Sequence, residues 1–336
     1  MRTMLENRPD GIKLITLENE QLKVILSNKG ASIISIYCAD RNGQMDDIVL
    51  GYEDIARCGD DTCYLGATVG RVANRIAKGC YSLNGEEYRA FVNNGPNSLH
   101  GGKEGFNVKL FDTELKDNSV IFTYLSPDGE EGYPGNLTLR VTYTIINNKL
   151  EIDYQADSDK DTIINITNHA YFNLSGGRAR IYDHELRIKA DTYACVDEDC
   201  LAYGELRPVE STPFDFRTFH KIGERIKEDD EQLKRAAGYD HSFILKDGND
   251  GILLYDEGSG RQLAFSTSQP VVQIYTGNYL KGGCVGKKGI HYENGDGVAI
   301  EVQRLPNSIN VEENPSVILR AGDNYIQHTE ISFTTR

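Results

Sequence analysis

The sequence predicts an all-β protein: a large antiparallel β-sandwich of two packed or strongly curved sheets, with one or two short helices. Three observations carry this expectation. Apolar and polar residues alternate with period two along much of the chain, short polar turns separate the alternating runs, and nowhere do strands alternate with long helical patterns as a parallel βαβ fold requires. The chain has 336 residues. Sandwiches run this long as single units, so residues 1–336 are expected to form one domain.

Taken in order, the elements justify themselves locally. Tyr81 and Tyr88 flank Asn84-Gly85, a dipeptide suited to a two-residue hairpin turn. Leu137, Leu139, Val141, Tyr143 and Ile145 alternate with Thr138, Arg140, Thr142 and Thr144. After Asn147-Asn148 the pattern resumes with Leu150, Ile152, Tyr154 and Ala156, which predicts a hairpin of two half-buried strands. The following run is read as one strand from Thr162 to Tyr171. It would point Ile164, Ile166 and Asn168 one way, and Asn165, Thr167, His169 and Tyr171 the other. Beyond Pro213, Ile222, Ile226 and Leu233 in a charged surround predict a short helix or two. Asp256 to Gly260 makes a third hairpin turn, between ILLY and LAFST, and strands continue to ISFTT at the C-terminus.

Composition narrows the function. Lys and Arg number 36 against 51 Asp and Glu, a net charge of -15. That balance argues for solubility and against a nucleic-acid or anionic-membrane partner. No apolar run approaches the ~20 residues of a membrane-spanning helix, and MRTMLENRPDGIKL lacks the apolar core of a signal peptide. The seven cysteines form no C-x-x-C pair, so free thiols in a reducing, cytoplasmic setting are expected. The seven histidines show no finger or helical pairing, so no metal site is expected, and GATVG lacks the lysine of a phosphate loop.

Five stretches carry candidate chemistry. TNHAYFNLSG interrupts an isoleucine-rich run with Asn, His and Tyr, which fits the floor of a wet cleft or an exposed sheet face. In GVAIEVQRLPN, Glu301 sits mid-strand between apolar neighbours, sharing a face with Gln303. A carboxylate desolvated there has its pKa raised towards neutral, as a general base near pH 7 requires; the alternative is a strand Glu facing water. His100 in NSLHGG precedes two glycines and lies on a turn free to present its ring, or at the surface. In GYDHSFIL, Asp240 beside His241 could accept from hydroxyls, pin an imidazole or cap a turn. Asn74-Arg75 in GRVANRIAKG joins an amide to a forked donor, suited to a polyol or to a surface ion pair.

Together with the LNG turn, DGEEGYPGNL, QIYTGNYL and PSVILRAGDNY, these stretches resemble, in order, the galactose mutarotase (aldose 1-epimerase) family along most of the chain. The resemblance implies a supersandwich fold and interconversion of the α and β anomers of a free aldose such as galactose or glucose. It implies Glu301 as the base at the anomeric hydroxyl and His169 as the acid at the ring oxygen. His100 would assist, and Asn74, Arg75, Tyr171, Asp240 and Gln273 would hold the sugar hydroxyls. No cofactor is implied, and the assembly would be a monomer or homodimer. Two departures border the expected site. Phe111 follows HGG where relatives commonly carry tryptophan, and QRLPN follows the base; they leave the reaction class intact and the particular aldose open. Other classes stay open as well: a glycoside hydrolase using Glu301 with Asp240, or a non-catalytic sugar-binding domain.

Overall fold

The computed structural model describes residues 2–59, 62–246, 251–313 and 316–336. Pro315, the first residue of the PSVILRAGDNY stretch, lies outside the described residues.

Alternation builds two main antiparallel sheets. The larger has nine strands, from edge to edge Asp112–Leu115, Ser119–Ser126, Leu137–Ile146, Lys149–Ser158, Asn324–Thr335, Arg261–Thr267, Ile252–Tyr255, Glu185–Ile188 and His220–Lys221. The second has six: Tyr171–Phe172, Val298–Gln303, Val271–Tyr275, Asp240–Leu245, Ala190–Val196 and Ala202–Pro208. A five-stranded N-terminal meander, Arg2–Asn7 to Met45–Asp47, adds a further layer. Val141, Tyr143, Ile152 and Phe265 from the nine-stranded sheet share one core with Val272, Ile274, Val298 and Ile300 from the six-stranded sheet. Ile15, Val24 and Leu26 of the meander join it. Each such fully buried side chain is worth about 1.5–3 kcal/mol relative to exposure. That apolar face offsets the cost of what the other face of the six-stranded sheet carries.

All three expected hairpins form. Ile145 pairs with Leu150 around Asn147-Asn148. Leu83 pairs with Glu86 around Asn84-Gly85, both of which have positive φ (54° and 84°), as a two-residue turn matched to the strand twist requires. Tyr255 pairs with Gln262 around the DEGSG turn. Ile222–Arg225 and Glu231–Ala236 are the expected short helices, the second capped by the Asp230 side chain, which accepts from the Gln232 and Leu233 amides. Ser308–Val311 is a further helix without a periodic signal.

The run from Thr162 to Tyr171 is not one strand. Thr162–Ile163 pairs with Ile318–Leu319, Thr167–Asn168 with Thr68–Val69, and Tyr171–Phe172 joins the six-stranded sheet. The chain crosses between sheets here, so face alternation fails. Asn165 is fully buried and exchanges hydrogen bonds with the Arg304 backbone; Asn168 donates to the Gly66 carbonyl. These amides satisfy backbone groups that a strand crossing leaves unpaired. Phe111 also departs from expectation. It is buried in the main core against Phe106 and Tyr124, away from the face described next.

Candidate active site

On the Val298–Gln303 strand, Val298, Ile300 and Val302 enter the core, so Glu301 faces away from it. By the same parity Gln273 and Tyr275 share that outer face on the next strand, and Asp240 and Ser242 on the one after. Register brings them together: Gln273 lies opposite Glu301, Ser242 opposite Gln273, and Asp240 opposite Tyr275. Loops carrying Tyr64, Asn74-Arg75, His100 and Cys200 fold over this face and enclose a cavity of about 430 Å³. Loop coverage is why Glu301 is only 2% exposed although it points out of the sandwich.

The strand crossings at residues 167–171 deliver His169 to the same cavity. Its backbone N–H donates to the Ala67 carbonyl at 2.8 Å, and its carbonyl accepts from Gly66 N–H at 3.0 Å. The ring is boxed by Tyr64, Tyr171 and His100, with centroids 5.9, 4.9 and 5.2 Å away. His169 Nε2 stands 3.6 Å from Glu301 Oε1. Among the described residues, Glu301 Oε2 and His169 Nδ1 are buried without a hydrogen-bonding partner. Burial raises the Glu301 carboxyl well above the ordinary carboxylate range, helped by the Asp240 charge and opposed by Arg75. Burial lowers His169 to about 4. Both groups are thus pushed towards their neutral forms.

The freedom expected of His100 from its place before two glycines is not found. The Asn74 N–H donates to His100 Nδ1 at 3.1 Å, and the His100 N–H donates back to the Asn74 carbonyl at 3.1 Å. His100 is buried, and its ring stands edge-on to Tyr64, with centroids 4.7 Å apart. Gly101 backs it at φ 90°, where an added Cβ would sit 1.9 Å from the Gly70 carbonyl oxygen. His100, Asn74, Tyr64 and Cys200 all hold left-handed backbone (φ 53°, 63°, 55° and 56°), so strained residues gather around this one cavity.

His100, His169 and Glu301 offer ligand atoms within 4.8 Å of one another, a spacing that resembles a metal site. The hydrogen bonding at His100 argues otherwise. With Nδ1 accepting from a backbone amide, its proton lies on Nε2, so the cavity meets a donor and not a lone pair.

The remaining expected residues divide. Arg75 and Asp240 line the cavity, with Arg75 Nη1 4.0 Å from Asp240 Oδ2. Asn94 accepts from Arg75 Nε at 3.0 Å and fixes the guanidinium. Tyr171 and Asn74 also line it. Gln273 does not: it sits beneath Asp240 and donates from Nε2 to Asp240 Oδ1 at 2.6 Å. Asp240 does not pin the His241 ring, because successive strand residues point to opposite faces; His241 packs on Phe214 and Tyr193 instead. Tyr275, Tyr64 and Ser242 carry no role in the sequence reading. Parity with Gln273 was the signal available for Tyr275; Tyr64 gives no sequence signal, since its placement rests on a left-handed turn that tyrosine rarely adopts. None of the seven cysteines is joined in a disulfide.

A family model described as Aldose 1-epimerase matches residues 13–332. Galactose mutarotase from Sus scrofa is 40% identical, covering 99% of this chain and 98% of its own. Aldose 1-epimerase from Escherichia coli K12 is 37% identical, covering 97% and 96%. A crystal structure of galactose 1-epimerase from Lactobacillus acidophilus superposes with a TM-score of 0.88 at 30% identity, covering 99% of this chain and 98% of that one.

Proposed function

The chain belongs to the aldose 1-epimerase family, and from that premise we propose that it interconverts the anomers of a free aldose with Glu301 and His169 as the proton-transfer pair. The observation that carries this reading is the buried contact between the two side chains, at 3.6 Å, inside a cavity lined by hydroxyl-binding groups.

The proton stoichiometry closes. In the closed hemiacetal, an ionised Glu301 faces the anomeric hydroxyl and a protonated His169 faces the ring oxygen. Ring opening moves the hydroxyl proton to Glu301 and the imidazolium proton to the ring oxygen as the C1–O5 bond breaks. The open aldehyde therefore stands beside a neutral acid and a neutral imidazole. Rotation about C1–C2 and closure by the reverse transfers give the other anomer. The pair holds one proton throughout. Burial disfavours its charged form, so the cavity that raises Glu301 and lowers His169 drives the transfer that opens the ring. His100, with its proton on Nε2, donates towards the oxygen that accumulates charge. Arg75, Asn74, Tyr171 and Asp240 take the remaining hydroxyls, while Gln273 acts from behind Asp240.

A hydrolase needs one carboxyl to attack or to activate water while a second protonates the leaving group. Here the partner nearest Glu301 is an imidazole, and Asp240 is engaged by Gln273 and Arg75, which favours the epimerase. Accelerated decay of optical rotation of freshly dissolved α-D-galactose, α-D-glucose and pentoses supports the proposal and ranks the aldoses. Release of phenol from an aryl glycoside without such acceleration would overturn it, and sugar binding with neither activity would leave only a sensor. We also place the protein in the cytoplasm, as a monomer or homodimer folded as one unit over residues 1–336. Cysteines without disulfides support the first of these.

A further inference from the structure

We propose that Ser242 is a positioning residue for sugar binding: its hydroxyl locks the Gln273 amide so that an N–H, and not the carbonyl oxygen, meets the Asp240 carboxylate. The inference rests on the reading of Asp240 as a hydroxyl acceptor and extends it to a residue that never reaches the sugar.

Strand geometry supplies the chain of contacts. Ser242 and Asp240 are two residues apart on one strand and therefore share a face. Ser242 lies directly opposite Gln273. Its hydroxyl donates to Gln273 Oε1, and Gln273 Nε2 donates to Asp240 Oδ1 at 2.6 Å. Ser242 and Gln273 are both buried, beside a narrow crevice behind the cavity wall that Cys200 and Asn74 also border. A buried side-chain amide has two nearly isosteric ends, and turning it would set two acceptors, Gln273 Oε1 and the Asp240 carboxylate, against each other. Satisfying Oε1 from the far side selects the orientation in which Asp240 receives a donor. Without the hydroxyl, Oε1 is left buried without a partner and only the Asp240 carboxylate holds the amide in its pose.

The consequence falls on Asp240. Burial raises its carboxyl, while Arg75 and the Gln273 hydrogen bond pull it back. The other ionisable groups near Asp240 are Glu301, Tyr275, Tyr279 and Cys200, with Glu198, Asp199, Arg235, His100 and His169 elsewhere around the cavity. Removing the hydroxyl touches none of them. A loosened Gln273 therefore lets the Asp240 carboxyl rise further, and sugar binding fails at a higher pH on the acid side.

The test is Ser242→Ala in the full chain, followed by 13C NMR titration of the Asp240 carboxyl and by kinetics across pH. The expected result is a higher Asp240 midpoint and a KM raised about fivefold, the size of one neutral hydrogen bond, with kcat within about twofold of wild type. A fall in melting temperature alone, with midpoint and KM unmoved, overturns the proposal. Asp240→Asn with a wild-type KM would overturn the role of Asp240 in sugar binding instead, while the carboxyl midpoint in Ser242→Ala would still read the Ser242–Gln273–Asp240 chain by itself.

Discussion

His169 Nε2 and Glu301 Oε1 stand 3.6 Å apart in the wall of one cavity, although 131 residues lie between them along the chain. They meet because the crossing between the Thr167–Asn168 and Tyr171–Phe172 strands carries His169 to the cavity into which the Val298–Gln303 strand presents Glu301. The contact is longer than a hydrogen bond, and both side chains line the cavity. Burial pushes Glu301 up and His169 down, and the pH behaviour expected of the pair follows from that.

The rate should depend on the pair's total proton count, because the two one-proton forms interconvert during turnover. With His169 lowered to about 4, a second proton enters only near that value, so kcat/KM should hold through pH 5–6 and fall nearer 4 than the ordinary imidazole value of ~6.5. On the alkaline side the pair loses its last proton at the raised Glu301 value. A stopped-flow polarimetric pH profile checks this. An acid limb centred near 6.5 would contradict it.

Glu301→Gln should stabilise the fold at neutral and alkaline pH. The folded-state pKa of Glu301 is raised above its unfolded value, so the wild type binds this proton more tightly when folded. Its contribution to stability is therefore full at low pH and lost as pH rises through the folded pKa. The amide carries no such cost. Calorimetry should give a melting temperature a few degrees above wild type at pH 8, with a gap that narrows towards pH 5. A pH-independent gap would contradict the buried-charge account.

Asp240→Asn should raise KM about tenfold or more, the scale of a lost hydrogen bond to a charged group, and lower kcat less. It should also move the alkaline limb to lower pH, since the Asp240 charge is one of the forces holding Glu301 up. Michaelis kinetics at several pH values separate the two effects.

Much of this was legible in the sequence, and the losses have physical causes. Turn chemistry at Asn84-Gly85 and period-two patterning at Leu137–Ile146 specify hairpins locally, so both were readable. Glu301 could be assigned a face because the Val298–Gln303 strand is regular; that it is buried could not, since its cover comes from loops far away in the chain. The Thr162–Tyr171 run misled because parity holds only within one strand, and three two-residue strands in three sheets reset it twice. Gln273 and Phe111 show the limit of transferring roles by position: one sits behind the wall it was expected to form, the other in the core.

The central claim, that Glu301 and His169 exchange protons with one hemiacetal, is tested most directly by polarimetry on freshly dissolved α-D-galactose with wild type, Glu301→Gln and His169→Asn. Each proton transfer is typically worth about 10²–10⁴-fold. Each single variant should lose kcat by a factor of that order, with the sugar still bound. Either variant turning over at the wild-type rate would contradict it.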